Sequence, residues 1–191
     1  MTVIIGLFFG SFNPIHTGHL VIAQAMLNHA AIDQIWFVVS PQNPFKKKQS
    51  LLGERERFYM VELATENHDR MRPSNIEFQL PQPSYTIDTL AVLSDKYKSY
   101  QFALIMGSDN LENFEKWKNY EQILENYLIF VYPRPGYEVT LQHPNIQSIP
   151  APLMEISATY IRNLIKQQKS IQFLVPEKVQ QYLANQHYYA D

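Results

Sequence analysis

Residues 2–30 hold the feature that most limits how this chain can fold. An apolar, β-branched run, Thr2–Phe9, passes through Gly10-Ser11-Phe12-Asn13-Pro14-Ile15-His16-Thr17-Gly18-His19 and straight into a helix-like segment, Leu20–Ala30. A strand that turns this tightly into a helix leaves the helix's first N–H groups without intrahelical partners. Together with the helix dipole they form an anion site, suited to phosphate above all. His16 and His19 project into the same first turn as donors or cations. Strand, turn, N–H groups and two imidazoles together describe a cradle for a nucleoside triphosphate.

The rest of the chain continues the alternation. Gln34–Ser40, Asn75–Leu80, Gln101–Met106 and Tyr127–Tyr132 read as strands, with a short, weak one at Ile146–Ile149. Leu51–Glu66, Tyr85–Tyr97, Thr159–Gln168 and Glu177–Asn185 read as helices, the last with Pro176 at its start. Strands separated by helices of crossover length predict an α/β fold of Rossmann-like, doubly wound type. Its sheet is mostly parallel, with helices on both faces and a helical C-terminal segment. Ligands of such sheets bind beyond the carboxyl ends of the strands, where the first turn sits. No linker or repeat divides residues 1–191, so a single domain is expected.

Composition narrows the chemistry. With no cysteine, disulfides, thiolate metal sites and cysteine nucleophiles are excluded. A zinc reading of His16 and His19 lacks a third ligand, because His29, His68, His143 and His187 are scattered. Neither G-x-G-x-x-G nor G-x-x-x-x-G-K-[ST] occurs. The formal net charge of −2 gives no electrostatic case for nucleic acid or membrane. No apolar run approaches the ~18 residues of a membrane span, and no targeting segment stands out, so a cytoplasmic protein is expected. The aromatic content leaves room for a homo-oligomer.

His16-Thr17-Gly18-His19 resembles the HxGH signature of the nucleotidyltransferase superfamily, and Gly10-Ser11-Phe12-Asn13-Pro14 resembles its GxFDP element, with Asn13 where Asp is usual. Ile156-Ser157-Ala158-Thr159-Tyr160-Ile161-Arg162 resembles the second signature, Ser-x-Thr-x-x-Arg at a helix start. The resemblance implies transfer of a nucleoside monophosphate from a triphosphate to a phosphate-bearing acceptor, with His16, His19 and Arg162 as catalytic residues. It further implies that Gly10, Ser11, Phe12, Gly107, Asp109, Ile156, Ser157 and Thr159 bind ATP. A lysine of the run Lys46-Lys47-Lys48, with Lys47 as the candidate, would reach the phosphates. Mg²⁺ is the implied cofactor, held by ATP oxygens and water, with no metal ligand assigned to the protein.

The acceptor is read from other segments. Pro83–Leu90, Gly107-Ser108-Asp109, Trp117, Arg134-Pro135-Gly136-Tyr137 and Phe173–Val179 look like nicotinate-nucleotide adenylyltransferases, in the same order along the chain. That family makes deamido-NAD and pyrophosphate from ATP and nicotinate mononucleotide. On this resemblance Tyr85, Thr86, Trp117, Lys118 and Arg134 bind the acceptor: Trp117 stacks on the pyridine ring and N–H groups at Tyr85-Thr86 take its carboxylate. Nicotinamide mononucleotide and phosphopantetheine are the alternative acceptors. A silent nucleotide-binding module is the alternative of another class, against which His16, His19 and Arg162 all stand.

Overall fold

The computed structural model describes residues 2–41 and 51–190. Six strands form one wholly parallel sheet: β1 (Val3–Gly10), β2 (Gln34–Val39), β3 (Met71–Ser74), β4 (Tyr100–Gly107), β5 (Leu128–Tyr132) and β6 (Ile146–Ser148). Their spatial order is β3-β2-β1-β4-β5-β6. The direction of winding reverses between β1 and β4, which opens a crevice at the carboxyl ends of these strands. Seven helices cover the sheet: α1 (Thr17–His29), α2 (Glu54–Thr65), α3 (Thr86–Lys96), α4 (Ser108–Leu111), α5 (Tyr120–Asn126), α6 (Ala158–Lys166) and α7 (Glu177–Asn185). None of them is long and apolar enough to cross a membrane.

Alternation along each strand supplies two cores. Phe8, Ile35, Phe37, Ala103, Ile105 and Phe130 face a cluster containing Met26, Met60, Ile161 and Val179 of α1, α2, α6 and α7. Ile5, Leu7, Trp36, Leu104 and Ile129 face the other, with Leu90 and Leu93 of α3 and Ile123 of α5. A sheet buried on both faces needs apolar residues in both registers, so its central strands read as continuous apolar runs.

One predicted strand is corrected. Asn75–Leu80 contains a 3₁₀ turn, Ile76–Gln79, and the third strand lies just before it at Met71–Ser74. Ile76, Phe78 and Leu80 alternate as a strand would, whereas Met71-Arg72-Pro73-Ser74 carries a proline. β3 is an edge strand, where a missing N–H is tolerated. Its pairing with β2 places Pro73 opposite Phe37. Helices α4 and α5 and the 3₁₀ turn Phe114–Lys116 were not expected. All three are short and lack a sustained amphipathic repeat.

The carboxyl ends of β1 and β2 are held by an arginine of the first turn of α2. Arg57 is fully buried. Its Nη1 donates to the carbonyls of Ser11 and Ser40 at 2.6 and 2.8 Å, Nη2 to Pro41 at 3.0 Å, and Nε to Leu52 at 2.9 Å. A planar fork of five donors matches several converging carbonyls as no other side chain does. Arg57→Met keeps most of the stem volume and orphans four carbonyls. A loss of at least about 3 kcal/mol is expected in urea denaturation; a loss below about 1 kcal/mol would show that water replaces the guanidinium.

Candidate active site

Both signature segments converge at the crevice. The turn after β1 is tight: Phe12 has φ 45° and lies buried. A Cβ on Gly10 would stand 2.8 Å from the Phe12 ring, so the glycine is what lets that ring fold back. Phe12 then supports the His19 ring, centroids 5.1 Å apart. The imidazoles of His16 and His19 stack at 3.7 Å with 27° between their planes. His16 N–H donates to His19 Nδ1 at 3.3 Å, which puts the proton of neutral His19 on Nε2.

The turn's N–H groups are less available than the sequence suggested. Thr17 N–H donates to the Leu174 carbonyl at 2.9 Å, and Thr17 Oγ1 donates to the Phe173 carbonyl at 2.9 Å. The Thr17 N–H is therefore not offered to an anion. Nor is His16 a resting cation. Burial, reinforced by the nearby Arg134 charge, pushes its pKa down to about 4, and its Nδ1 is buried with no hydrogen bond among the described residues. A neutral imidazole offers one N–H donor.

Arg162 joins the two signatures. Ser157 caps α6, its Oγ accepting from Tyr160 N–H at 3.2 Å. Arg162, one turn on, donates through Nη1 to the Asn13 carbonyl at 2.8 Å and through Nη2 to Thr159 Oγ1 at 3.2 Å. Asn13 Oδ1 in turn accepts from Leu52 N–H at 3.2 Å and from the Tyr189 hydroxyl. Tyr189 was missed by sequence reasoning, because a residue so near the chain's end carries no signal of a partner 176 positions away. Ile156 packs beside Gly18: a Cβ on that glycine would lie 3.6 Å from Ile156 Cβ, and 3.1 Å from His16 Nδ1.

After β4, Gly107 precedes α4. A Cβ there would meet Asp109 Oδ1 at 2.3 Å and Arg134 Cγ at 2.9 Å. Asp109, the second residue of α4, faces Arg134 Nε at 3.8 Å, and its Oδ1 makes no hydrogen bond among the described residues. Arg134 thus stands with Asp109 and His16, not with the other residues expected to bind the acceptor. Among the described residues, no three His, Asp or Glu side chains converge as a metal site would require. Lys47 lies outside the described residues.

Those other residues line a pocket of about 340 Å³ between the ends of β1 and β4. Tyr85, Thr86, Trp117 and Lys118 contribute to its wall, and Gly10 and Ser11 connect it to the histidine turn. Trp117 is half-buried and packs on Phe114 at 5.4 Å. Helix α3 opens at Thr86, and its first turn closes only with Asp88 N–H donating to the Tyr85 carbonyl at 3.0 Å, so the Tyr85 and Thr86 N–H groups precede the helical ladder. Lys118 is committed elsewhere: its Nζ donates to both Asp88 carboxylate oxygens, at 3.0 and 2.8 Å, and lies 4.9 Å from the Tyr85 ring centre. Glu77, also missed from sequence, is a buried carboxyl in the same wall.

Comparison with known proteins shows the family. Residues 7–164 match the family model described as cytidylyltransferase-like. The chain belongs to this class of nucleotidyltransferases. A protein of Cytophaga hutchinsonii described as a "probable nicotinate-nucleotide adenylyltransferase" is 55% identical over 189 residues, covering 98% of each chain. One of Flavobacterium johnsoniae with the same description is 54% identical, covering 97% of this chain and 98% of its own. Within the class, the chain is a member of the nicotinate-nucleotide adenylyltransferase family. The fold matches the Plasmodium falciparum nicotinic acid mononucleotide adenylyltransferase complexed with NaAD, with TM-score 0.80 at 18% identity over 98% of this chain and 97% of that one.

Two outcomes test the electrostatics. An imidazole in the unfolded chain takes its proton near pH 6.5, while His16 in the fold resists until about 4. Between those values the unfolded chain holds more protons, so the contribution is complete above pH 6.5 and is lost as pH falls toward 4. His16→Gln removes this titration. The gap in urea stability between wild type and variant should therefore close on acidification; a constant gap would contradict the burial of His16. Gly18→Ala should leave the melting temperature unchanged or raised, since alanine favours the helix by up to ~1 kcal/mol. It should still lower turnover, because the new methyl crowds the His16 ring.

Proposed function

We propose that this site transfers AMP from ATP to nicotinate mononucleotide, giving deamido-NAD and pyrophosphate. The observation that carries the reading is the pocket at the β1/β4 reversal, walled by Trp117 and the N-terminal turn of α3, whose lining includes Gly10 and Ser11 of the turn that leads to His16 and His19. Arg162 meets that same turn at the Asn13 carbonyl. The NaAD complex of the Plasmodium falciparum neighbour, which shares the fold, supports it.

A phosphate oxygen of the mononucleotide attacks the α-phosphorus of ATP in line. The new P–O bond forms as the bond to the bridging α–β oxygen breaks, and pyrophosphate leaves with the electron pair. A phosphate monoester has its second pKa near ~6, so the nucleophile is already ionised and needs no general base. The protein's work is alignment and stabilisation of charge. His19 donates through Nε2 to the phosphates. His16, neutral in the fold, donates beside it and gains charge as the triphosphate approaches. Arg162 meets the leaving group, oriented by Thr159 and the Asn13 carbonyl. Asp109 accepts from the ribose hydroxyls.

At the other end, Trp117 stacks on the pyridine ring, and the Tyr85 and Thr86 N–H groups take its carboxylate. With its ammonium held by Asp88, Lys118 contributes by fixing this turn. Arg134, beside Asp109 and His16, is placed to meet phosphate rather than the ring. A divalent ion accompanies the triphosphate; Mg²⁺ on phosphate oxygens and water fits a donor set of imidazoles and guanidinium. It supplies charge shielding when bound. The absence of cysteine and the ATP requirement suit the cytoplasm.

Pyrophosphate release with Mg²⁺-ATP and three acceptors tests the reading: nicotinate mononucleotide, nicotinamide mononucleotide and phosphopantetheine. Preference for the first by about 100-fold in kcat/KM, or ~3 kcal/mol, is expected. Turnover of phosphopantetheine alone would overturn it. His19→Ala should slow turnover by ~10²–10³ with the melting curve unchanged, the scale for one lost charge-stabilising donor. A loss of tenfold or less, about 1.4 kcal/mol, would remove His19 from that role.

A further inference from the structure

We propose that Glu77 is a specificity-determining residue, which holds its proton when an acid acceptor binds and donates it as a hydrogen bond to the pyridine carboxylate. The inference rests on the acceptor reading above and adds to it a group that reads the acid.

Glu77 lies in the 3₁₀ turn Ile76–Gln79 and is 3% exposed, yet it lines the pocket beside Ser84, Tyr85 and Thr86. Its Oε1 accepts from Thr89 Oγ1 at 2.9 Å, and its own carbonyl accepts from Gln82 Nε2 at 3.2 Å. The turn and the carboxyl are thereby fixed against the start of α3. Its Oε2 makes no hydrogen bond among the described residues. A buried carboxyl oxygen in a ligand pocket without a protein partner is placed to find one on the ligand.

What that partner is depends on the proton. An ionised Glu77 can only accept, which suits a carboxamide NH₂ and repels a carboxylate; a protonated one donates to a carboxylate. The surroundings favour the neutral form. Burial pushes the Glu77 carboxyl above the usual range, and the hydroxyls of Thr89, Ser40 and Ser84 only oppose that rise. Ser40 follows β2, Ser84 precedes α3 and Thr89 lies within it, so the neighbours facing the carboxyl are hydroxyls. The charged groups sharing the pocket are Lys116 and Lys118, and Asp88 pairs with the latter.

The test is the ratio of kcat/KM for nicotinate to that for nicotinamide mononucleotide, measured from about pH 5 to 9. Groups that act on ATP affect both acceptors alike and cancel in the ratio. For the wild type the ratio should fall by about tenfold as pH rises, the worth of one hydrogen bond to a charged group. Glu77→Gln, an uncharged donor of the same shape, should keep a high ratio that does not vary with pH. A ratio flat with pH in the wild type would overturn the proposal even if the variant fails to fold. So would a variant that retains the wild-type slope. Absence of turnover with nicotinate mononucleotide at every pH would instead sink the acceptor reading, so the two failures are distinguishable.

Discussion

The buried guanidinium of Arg57 is the interaction on which the site depends. Two parallel strands end side by side at Gly10 and Val39, and their continuations must part to leave a crevice. Carbonyls at such ends need donors. Arg57 supplies them to Ser11, Ser40, Pro41 and Leu52 from a single side chain of α2. A carbonyl turned inward toward Arg57 is one not turned toward a phosphate. The same contacts therefore close the core and keep acceptor dipoles away from the anion side of the turn.

A second set of contacts ties the turn to the far end of the chain. Thr17 is held by the carbonyls of Leu174 and Phe173, Asn13 by Tyr189, and Arg162 by Asn13. The glycine-led turn is local in sequence, but its geometry is completed only when α6, α7 and the following residues dock. An isolated β1–α1 unit would lack the groups that orient Arg162 and fix the Thr17 N–H. The position of Asn13 also becomes intelligible. Its side-chain oxygen accepts from Leu52 N–H and the Tyr189 hydroxyl. Those are tasks an amide oxygen performs as well as a carboxylate, so the missing charge costs the turn little.

The sequence disclosed most where chemistry and periodicity coincide. Gly10–His19 and Ser157–Arg162 were legible because each needs particular residue types at fixed spacing. The central strands were legible because both their faces are apolar. β3 was not, because alternation in Ile76, Phe78 and Leu80 mimics a strand while Pro73 hides one that edge position permits. Arg57 sits among Glu54, Arg55 and Glu56, where a charged first turn looks solvent-facing. Glu77 sits between apolar residues in the misread segment. Whether a charged side chain is buried depends on carbonyls and hydroxyls brought from distant segments, which no local pattern records.

The two ends of the crevice share one electrostatic logic. At the phosphate end burial drives His16 toward its neutral form, and at the pyridine end it drives Glu77 the same way. Fixed cationic charge near His16 is carried by the guanidinium groups of Arg162 and Arg134, the latter faced by Asp109. Two substrates each bring negative charge to this surface. On the proposed reading, a triphosphate beside His16 would oppose the desolvation that lowers its affinity for a proton. Nucleotide binding would then be coupled to proton uptake, and the imidazole would take up charge where the phosphates bring theirs.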